Sequence, residues 1–468
     1  MFLKKINTYK KWALYAVPII IFLIFNFIFD FNGLYGQDGH EYFRYSKEVK
    51  MFLTQGTAVN KMYWPVGFPL AGSLLSFTGL SVLWSLRIVS LVSLLGTLFY
   101  SNKIIKSLFN KDGSLLLILG AATQVYFVRG GYLIMSDMLC AFFMTLLFYQ
   151  YIKYMRSQKL LTLFLIGLIA CFAFFTRYAS IPLLILPVVH SLFIFLRGLK
   201  VMFQVLLGMF FIVALIGLFY SNNQLVSLSE GIISQWDFSN FYSRIIYTEN
   251  GINTNMVPNG VYAFGNFFHI GFLSFGVALI PFYRKPNTFC ILILACIVLY
   301  ILFLAGLETQ NNRFLMLSHP LALIVLFPFF DSLMKWIKPK KIAPVFIIAT
   351  LLFNGAFFFY SFNKTYRVHT LERKIISAII ELKTEVPIYC FYIDQSFPSY
   401  DLDNERRNFY YQEYDSFEQG ALVIFNENKF TEQWKGHSVM NNWNRLIIQN
   451  ELDTLVKLPQ NWTIYRIK

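Results

Sequence analysis

Charge is what this sequence has least of. Only 14% of its 468 residues are Asp, Glu, Lys or Arg, while 56% are hydrophobic. That balance excludes a single soluble core, because apolar surface on this scale, arriving in long runs, belongs in a bilayer. Cysteine is sparse: Cys140, Cys171, Cys290 and Cys296 fall inside apolar runs and Cys390 lies near the C-terminal end. There is neither a CxxC pair nor a disulfide framework, and no His/Cys cluster demands a metal. Repeats of fixed period and low-complexity tracts are also missing, which speaks against transporters built from duplicated halves. No small-residue cleavage site follows the first apolar run, so Trp12 to Phe29 reads as a retained span and not a signal peptide.

Further runs of spanning length occupy about 82–101, 114–128, 133–152, 160–176, 179–196, 201–220, 262–283, 287–306, 314–331 and 342–361, making about 11 spans with the first. The net charge of +15 raises nucleic acid as a partner, and its distribution removes it. With a cytoplasmic N-terminus, the inside connections hold Lys4, Lys5, Lys10 and Lys11, then Lys103, Lys106 and Lys111, then Lys153, Arg156 and Lys159. Arg197, Lys200, Arg284, Lys285, Lys335, Lys338, Lys340 and Lys341 follow the same alternation. That is the positive-inside pattern of a plasma-membrane protein, and it needs no anionic polymer.

From about residue 362 the character changes. "HTLERKIISAIIEL" has helical periodicity, and "PIYCFYI", "ALVIFN" and "NWTIYRI" are short strand-like runs between turn residues. The expected organisation is a polytopic α-helical domain over 1–361 and a small soluble α/β domain over 362–468. An odd span count puts the latter on the side opposite the N-terminus. The unusual polar residues collect on that outer side, in the loop 31–66, "RGGYLIMSD" (129–137), "TRYAS" (176–180), the loop 221–260 and "ETQNNR" (308–313).

In the first outer loop Tyr42, Tyr45, Val49, Phe52 and Leu53 recur at helical spacing, with Arg44, Lys47, Glu48 and Lys50 on other faces, as in an interfacial amphipathic helix. Asp38 three residues before Glu41 reads as N-cap and capping box, a role that does not preclude catalysis. Asp137 opens the fourth span, where it too can cap. Two outward aspartates at the edge of the apolar layer are costly unless they serve a partner, which favours a shared polar cavity. Arg129, Arg177 and Arg313 end apolar runs with little carboxylate nearby. Guanidinium groups suit a phosphate through paired charge-assisted hydrogen bonds, although each alone is equally explained by snorkelling to headgroups. In "MYWPVGFPLAGSLL" (62–75), Pro65 and Pro69 break any straight helix and Tyr63 and Trp64 suit an interface, so the chain either re-enters the bilayer edge or forms an aromatic-anchored loop. Lys61 precedes it and is within chain reach of the same phosphate.

These pieces together resemble the GT-C glycosyltransferases that use polyprenyl-phosphate sugars, in particular the protein O-mannosyltransferases (glycosyltransferase family 39-like) and the bacterial aminoarabinose transferases acting on lipid A. The matching strings are "DGHEYF" after the first span, "WPVGFPL" before the second, "SDM" opening the fourth, "TRYASIPLLILP" (176–187) and "NNRFLMLSHP" (311–320). They span most of residues 1–361, in order and on one side.

The resemblance implies an integral membrane enzyme that moves a sugar from a polyprenyl-phosphate donor to an extracytoplasmic acceptor: a lipid, a glycan or a protein. It implies Asp38 as the base or acceptor-orienting carboxylate, with Asp137 lining the same cavity. Arg129, Arg177 and Arg313 are then the candidates for the carrier phosphate, and His40, Glu41, Lys61 and Tyr178 complete the substrate-binding set. Where many relatives carry two adjacent acidic residues this chain has Asp-Gly-His-Glu, a departure from the family pattern that leaves the place of the second acid open, with Glu41 the candidate for it. A divalent cation between Asp38 and Asp137 is chemically compatible with this set. The competing readings are a flippase for lipid-linked sugar, which calls for symmetric halves and mid-span polar residues, and a polymerase or ligase of surface polysaccharide.

Overall fold

The computed structural model describes residues 2–60, 64–197, 235–248, 251–308, 310–339, 342–391 and 393–468. Lys61 and the run 201–220 lie outside them. The protein is a polytopic α-helical membrane protein with a small sheet-containing portion. Among the described residues seven helices are long and apolar enough to cross a membrane, or eight if one bent pair counts as a single span.

The chain divides into two units. The first comprises Met1–Gly33, Tyr45–Arg244 and Met256–Ser361; the second comprises Leu34–Arg44, Ile245–Asn255 and Phe362–Lys468. Through the first unit run α1 (Phe2–Leu23), the C-terminal part of α2 (Gly36–Gln55), α3 (Gly67–Ser76), α4 (Val82–Phe109), α5 (Ser114–Leu117), α6 (Val125–Tyr132), α7 (Ser136–Ser157), α8 (Leu160–Thr176), α9 (Ile181–Arg197), α10 (Thr288–Ala305) and α11 (His319–Ile337). The 39-residue α12 (Ala343–Glu381) begins there and continues into the second unit.

Helix ends follow local chemistry. Ser81 caps α4 by accepting from the Trp84 amide, Asn287 caps α10 by accepting from the Cys290 amide, and α4 stops where Asn110 turns left-handed at φ 53°. Small side chains on the buried face of α4, among them Ser90, Ser93, Thr97 and Ser101, admit close helix packing. Opposite Leu94 only glycine fits at 131, since a Cβ there would meet the leucine side chain at 2.4 Å.

Three expected spans are interrupted. The run 114–128 passes from α5 through a π turn (Ile118–Ala122) and bends by 78° before α6. Buried amides satisfy the backbone released at the bend: Gln124 Nε2 and Asn354 Nδ2 both donate to the Leu119 carbonyl at 3.0 Å, and Asn354 also donates to Thr123 Oγ1 at 2.8 Å. The run 262–283 is no single helix but short turns at Asn259–Tyr262, Gly265–Phe268 and Val277–Phe282. Its glycines allow the chain to fold on itself, for a Cβ on Gly276 would lie 1.7 Å from the Phe267 carbonyl. Likewise the run 314–331 opens with 3-10 turns (Asn312–Met316), and α11 starts only at His319. Uninterrupted apolar windows therefore overcount spanning helices here.

In the second unit β1 (Ile245–Thr248) and β2 (Gly251–Thr254) pair as an antiparallel hairpin. A five-stranded mixed sheet is built from β3 (Ile388–Cys390), β4 (Arg406–Asn408), β5 (Leu422–Phe425), β6 (Leu452–Lys457) and β7 (Thr463–Ile467), in the order β4-β3-β5-β7-β6. Strands β4, β3 and β5 run parallel, and β5, β7 and β6 alternate direction. All four residues of the central β5, Leu-Val-Ile-Phe, are buried, as a strand covered on both faces requires. The end of α12 packs on this core through Ile375, Ile376 and Ile379, with α13 (Glu427–Gln433) and α14 (Asn441–Gln449) completing the cover; Trp443 of α14 stacks on Phe425 at 3.9 Å.

Candidate functional site

In the first unit the polar residues gather where helices stop. Asp137 is the second residue of α7, and Met135 holds the cap position, so the capping expected of Asp137 does not occur. Its carboxylate is 1% exposed and is ion-paired to Arg177. Oδ2 has no hydrogen-bond partner among the described residues. Arg177 lies in the extended link between α8 and the turn leading into α9, with its amide bonded to the Ala173 carbonyl at 2.9 Å. Gly67 lets α3 approach that helix end: a Cβ there would meet the Phe175 carbonyl at 2.7 Å and Thr176 Oγ1 at 2.8 Å. Paired inward to Asp137 and only 11% exposed, Arg177 does not snorkel to lipid.

The segment Asn312–Met316 joins the remaining basic residues to this pair. Phe314 presents its ring to both Arg177 (5.2 Å) and Arg313 (5.9 Å), and the Phe314 carbonyl accepts from the buried Tyr300 hydroxyl at 2.7 Å. Arg313 Nη1 also reaches Met135 Sδ at 3.8 Å, just ahead of Asp137. Arg129, on α6, packs over the Tyr126 ring at 5.5 Å. Tyr262 is hydrogen-bonded to Asn312, and its phenol is pushed up by burial and by Tyr126 while Arg129 pulls it down. Asp137, Arg129, Arg177 and Arg313 thus come from four chain segments to one side-chain cluster. Tyr178 is buried beside Phe174 at 5.1 Å, next to the arginine it follows.

Asp38, His40 and Glu41 belong to the second unit. Asp38 is buried within the first turn of α2, which starts at Gly36, so it is not the N-cap. The capping box is likewise absent, since Glu41 pairs with Arg44 at 2.7 Å one turn on. A carboxylate in a helix's first turn is still favoured by the helix dipole. His40 is buried, with Nδ1 2.8 Å from Ser399 Oγ and Nε2 3.4 Å from Glu372 Oε2, so both ring nitrogens are engaged within this unit. The apolar stripe of α2 behaves unevenly: Tyr42, Tyr45 and Val49 are buried, while Phe52 and Leu53 are exposed.

Tyr262, Asn312 and Phe314 do not stand out in the sequence. Asn312 and Phe314 sit inside "NNRFLMLSHP", but Tyr262 is hidden as the first residue of an expected span. Arg87 also escapes the sequence reading despite the clearest signal, a lone arginine inside an apolar run. It is buried on α4, donates to the Phe31 carbonyl at 3.1 Å and stacks on Trp84 at 4.0 Å. Among the described residues no group of three or more His, Cys, Asp or Glu side chains could hold a metal ion.

Residues 65–220 match the sequence family described as dolichyl-phosphate-mannose-protein mannosyltransferase. A comparison with curated protein sequences gives no match. Among solved structures the chain is similar to ArnT from Cupriavidus metallidurans bound to undecaprenyl phosphate, with a TM-score of 0.57 and 12% identity over 96% of this chain and 97% of that one. The apo state of the same protein gives a TM-score of 0.55 at 11% identity, with the same coverage. At such low identity the likeness establishes the fold. The chain shares the fold of ArnT over nearly its whole length, while the match to the mannosyltransferase family covers about a third of it, within residues 65–220.

Proposed function

We propose that this protein is a membrane glycosyltransferase that moves a sugar from a polyprenyl-phosphate carrier to an acceptor on the extracytoplasmic side. One observation carries the reading: Arg177, ion-paired to the buried Asp137, and Arg313 share the Phe314 ring, and Arg129 connects to the same segment through Tyr126, Tyr262 and Asn312. A diester-linked sugar phosphate brings a negative charge that grows as the glycosidic oxygen departs. Guanidinium groups held by aromatic faces and by Asp137 meet that charge without reorganising, and in a water-poor site such fixed charges supply most of the rate enhancement. Arg177 and Arg313 are the principal phosphate ligands, and Arg129 supports them.

Asp38 is the proton acceptor in this scheme. Its carboxylate takes the proton of the acceptor hydroxyl or amine as that atom attacks the anomeric carbon; the carbon–oxygen bond to the carrier breaks, and polyprenyl phosphate leaves with inversion. His40, with both ring nitrogens engaged, holds the start of α2. The acceptor remains a lipid, glycan or protein by class. The test is transfer from a set of radiolabelled polyprenyl-phosphate sugars by the purified protein, alongside Asp38→Asn. Transfer by the wild type and its loss in a folded variant are expected. Absence of transfer from any donor, together with absence of carrier binding, would refute the assignment.

A further inference from the structure

At the other end of α7 from Asp137, where Arg156 Nη2 donates to the Ser107 carbonyl at 2.7 Å, the first unit has an open pocket of about 250 Å³. Lys11 of α1 and Lys103 and Lys106 of α4 line it, together with Tyr15, Phe99 and Asn102. Its one acid, Asp112, is occupied with the turn into α5: its Oδ1 accepts from Asn102 Nδ2 at 3.1 Å and from Ser114 Oγ at 3.0 Å. Lys11, Lys103 and Lys106 have no carboxylate within ion-pairing distance among the described residues. Lys103 rests over the Phe99 ring at 5.2 Å.

The positive-inside bias accounts for lysines in these connections, but it requires no convergence on a pocket. Three exposed ammonium groups from two helices face one carboxylate, so the hollow keeps a net positive charge that a bound anion would offset. The lining has an apolar side in Tyr15 and Phe99, and Phe99 is 41% exposed, as a side chain facing acyl chains would be. A volume near 250 Å³ is below the usual small-molecule range and suits a compact headgroup. We propose that this pocket binds the phosphate headgroup of an anionic membrane lipid, with the lysines on the phosphate and Phe99 along the chains. The same lysines would take a free phosphate, but the apolar side of the lining favours the lipid. The inference does not depend on the transferase reading.

Native mass spectrometry of the full chain with dioleoylphosphatidylglycerol tests it, with dioleoylphosphatidylcholine as the neutral comparison. The wild type should retain the anionic lipid selectively. Retention should fall roughly tenfold or more in Lys11→Gln/Lys103→Gln/Lys106→Gln, since each lysine near an anionic headgroup is worth about 1 kcal/mol. It should be unchanged in Lys153→Gln/Lys159→Gln/Lys285→Gln, which removes the same charge elsewhere. An equal fall in both triples would reduce the effect to diffuse charge and overturn the site. Displacement of the lipid by millimolar inorganic phosphate would overturn the lipid assignment. Should the first triple unfold, a photoactivatable phosphatidylglycerol on the wild type decides: crosslinks at Tyr15 or Phe99 support the proposal, and crosslinks only elsewhere refute it.

Discussion

Replacing Arg177 by Met should cost stability and ligand binding for two separable reasons. In the resting protein the guanidinium neutralises Asp137, whose carboxylate is 1% exposed and has no hydrogen-bond partner at Oδ2 among the described residues. Removing one member of a buried ion pair leaves an uncompensated charge and costs about 3–5 kcal/mol. Replacing both, as Asp137→Asn with Arg177→Met, removes the stranded charge and should recover most of that loss. Binding of a polyprenyl phosphate should not recover. Each charge-assisted hydrogen bond to a phosphate oxygen is worth about 1.5–3 kcal/mol, so the double variant should bind about 10- to 100-fold more weakly than the wild type. Thermal unfolding in detergent reads the first quantity, and equilibrium binding of a labelled carrier reads the second. If the single variant unfolds no more readily than the double, the ion pair is not a buried counterion pair. If the double binds carrier like the wild type, Arg177 is not a phosphate ligand and the functional proposal loses its main support.

Gly67→Ala should destabilise by about 1–3 kcal/mol through overpacking, and should lower donor affinity by displacing the α8 end that carries Arg177; unfolding and carrier binding on the same samples check both. Asn354→Leu strips Leu119, Thr123 and Gln124 of a shared partner at the bend before α6, and a loss of about 1–3 kcal/mol is expected in detergent unfolding. In the second unit burial raises the Asp394 carboxyl above its ordinary range, with Asn408 hydrogen-bonded to it at 2.6 Å. A raised folded pKa means the native state holds the proton more tightly, so the group's contribution is fully present below the unfolded pKa near 3.9 and is lost as pH rises through the folded value. Asp394→Asn should therefore raise the unfolding temperature at neutral pH, with the gain vanishing in acid; a gain independent of pH would contradict this. Trp443→Ala should cost about 3–5 kcal/mol by emptying the face of Phe425, read as the loss of that unit's unfolding transition.

The fold was legible wherever one physical signal decided the element. Long apolar runs became α4, α7, α8, α9 and α10, with side-chain caps at α4 and α10, and the run 160–176 coincides with α8 to the residue. The strand-like runs "PIYCFYI", "ALVIFN" and "NWTIYRI" became β3, β5 and β7 because their apolar residues fill a core from both faces. Strand β4, whose residues are Arg-Arg-Asn, had no hydrophobic pattern to betray it; it is an edge strand specified by its parallel partner β3. The capping box at Asp38 misled for a related reason. Its spacing is right, but Gly36 at φ 61° starts the helix earlier, and Arg44 offers Glu41 a charged partner in place of a backbone amide.

The residues of the candidate site share a feature that hydropathy cannot register. Arg129 follows the 78° bend, Arg177 sits between α8 and α9, Arg313 lies in the 3-10 segment ahead of α11, and Asp137 opens α7. Each falls where a helix stops. A continuous membrane helix satisfies its own backbone and presents side chains only radially, whereas an interruption frees polar backbone and turns the chain, which is tolerated only inside protein or along a polar cavity. Interruptions are therefore the places where a charged side chain can point inward at modest cost, and a smoothed hydropathy window averages them into the neighbouring spans. The runs 114–128, 262–283 and 314–331 read as spans for that reason, and their breaks set Arg129, Tyr262, Asn312 and Arg313 around one another. In a chain with so few charges, a charged residue beside a broken apolar run is a stronger pointer to chemistry than the run is to a span.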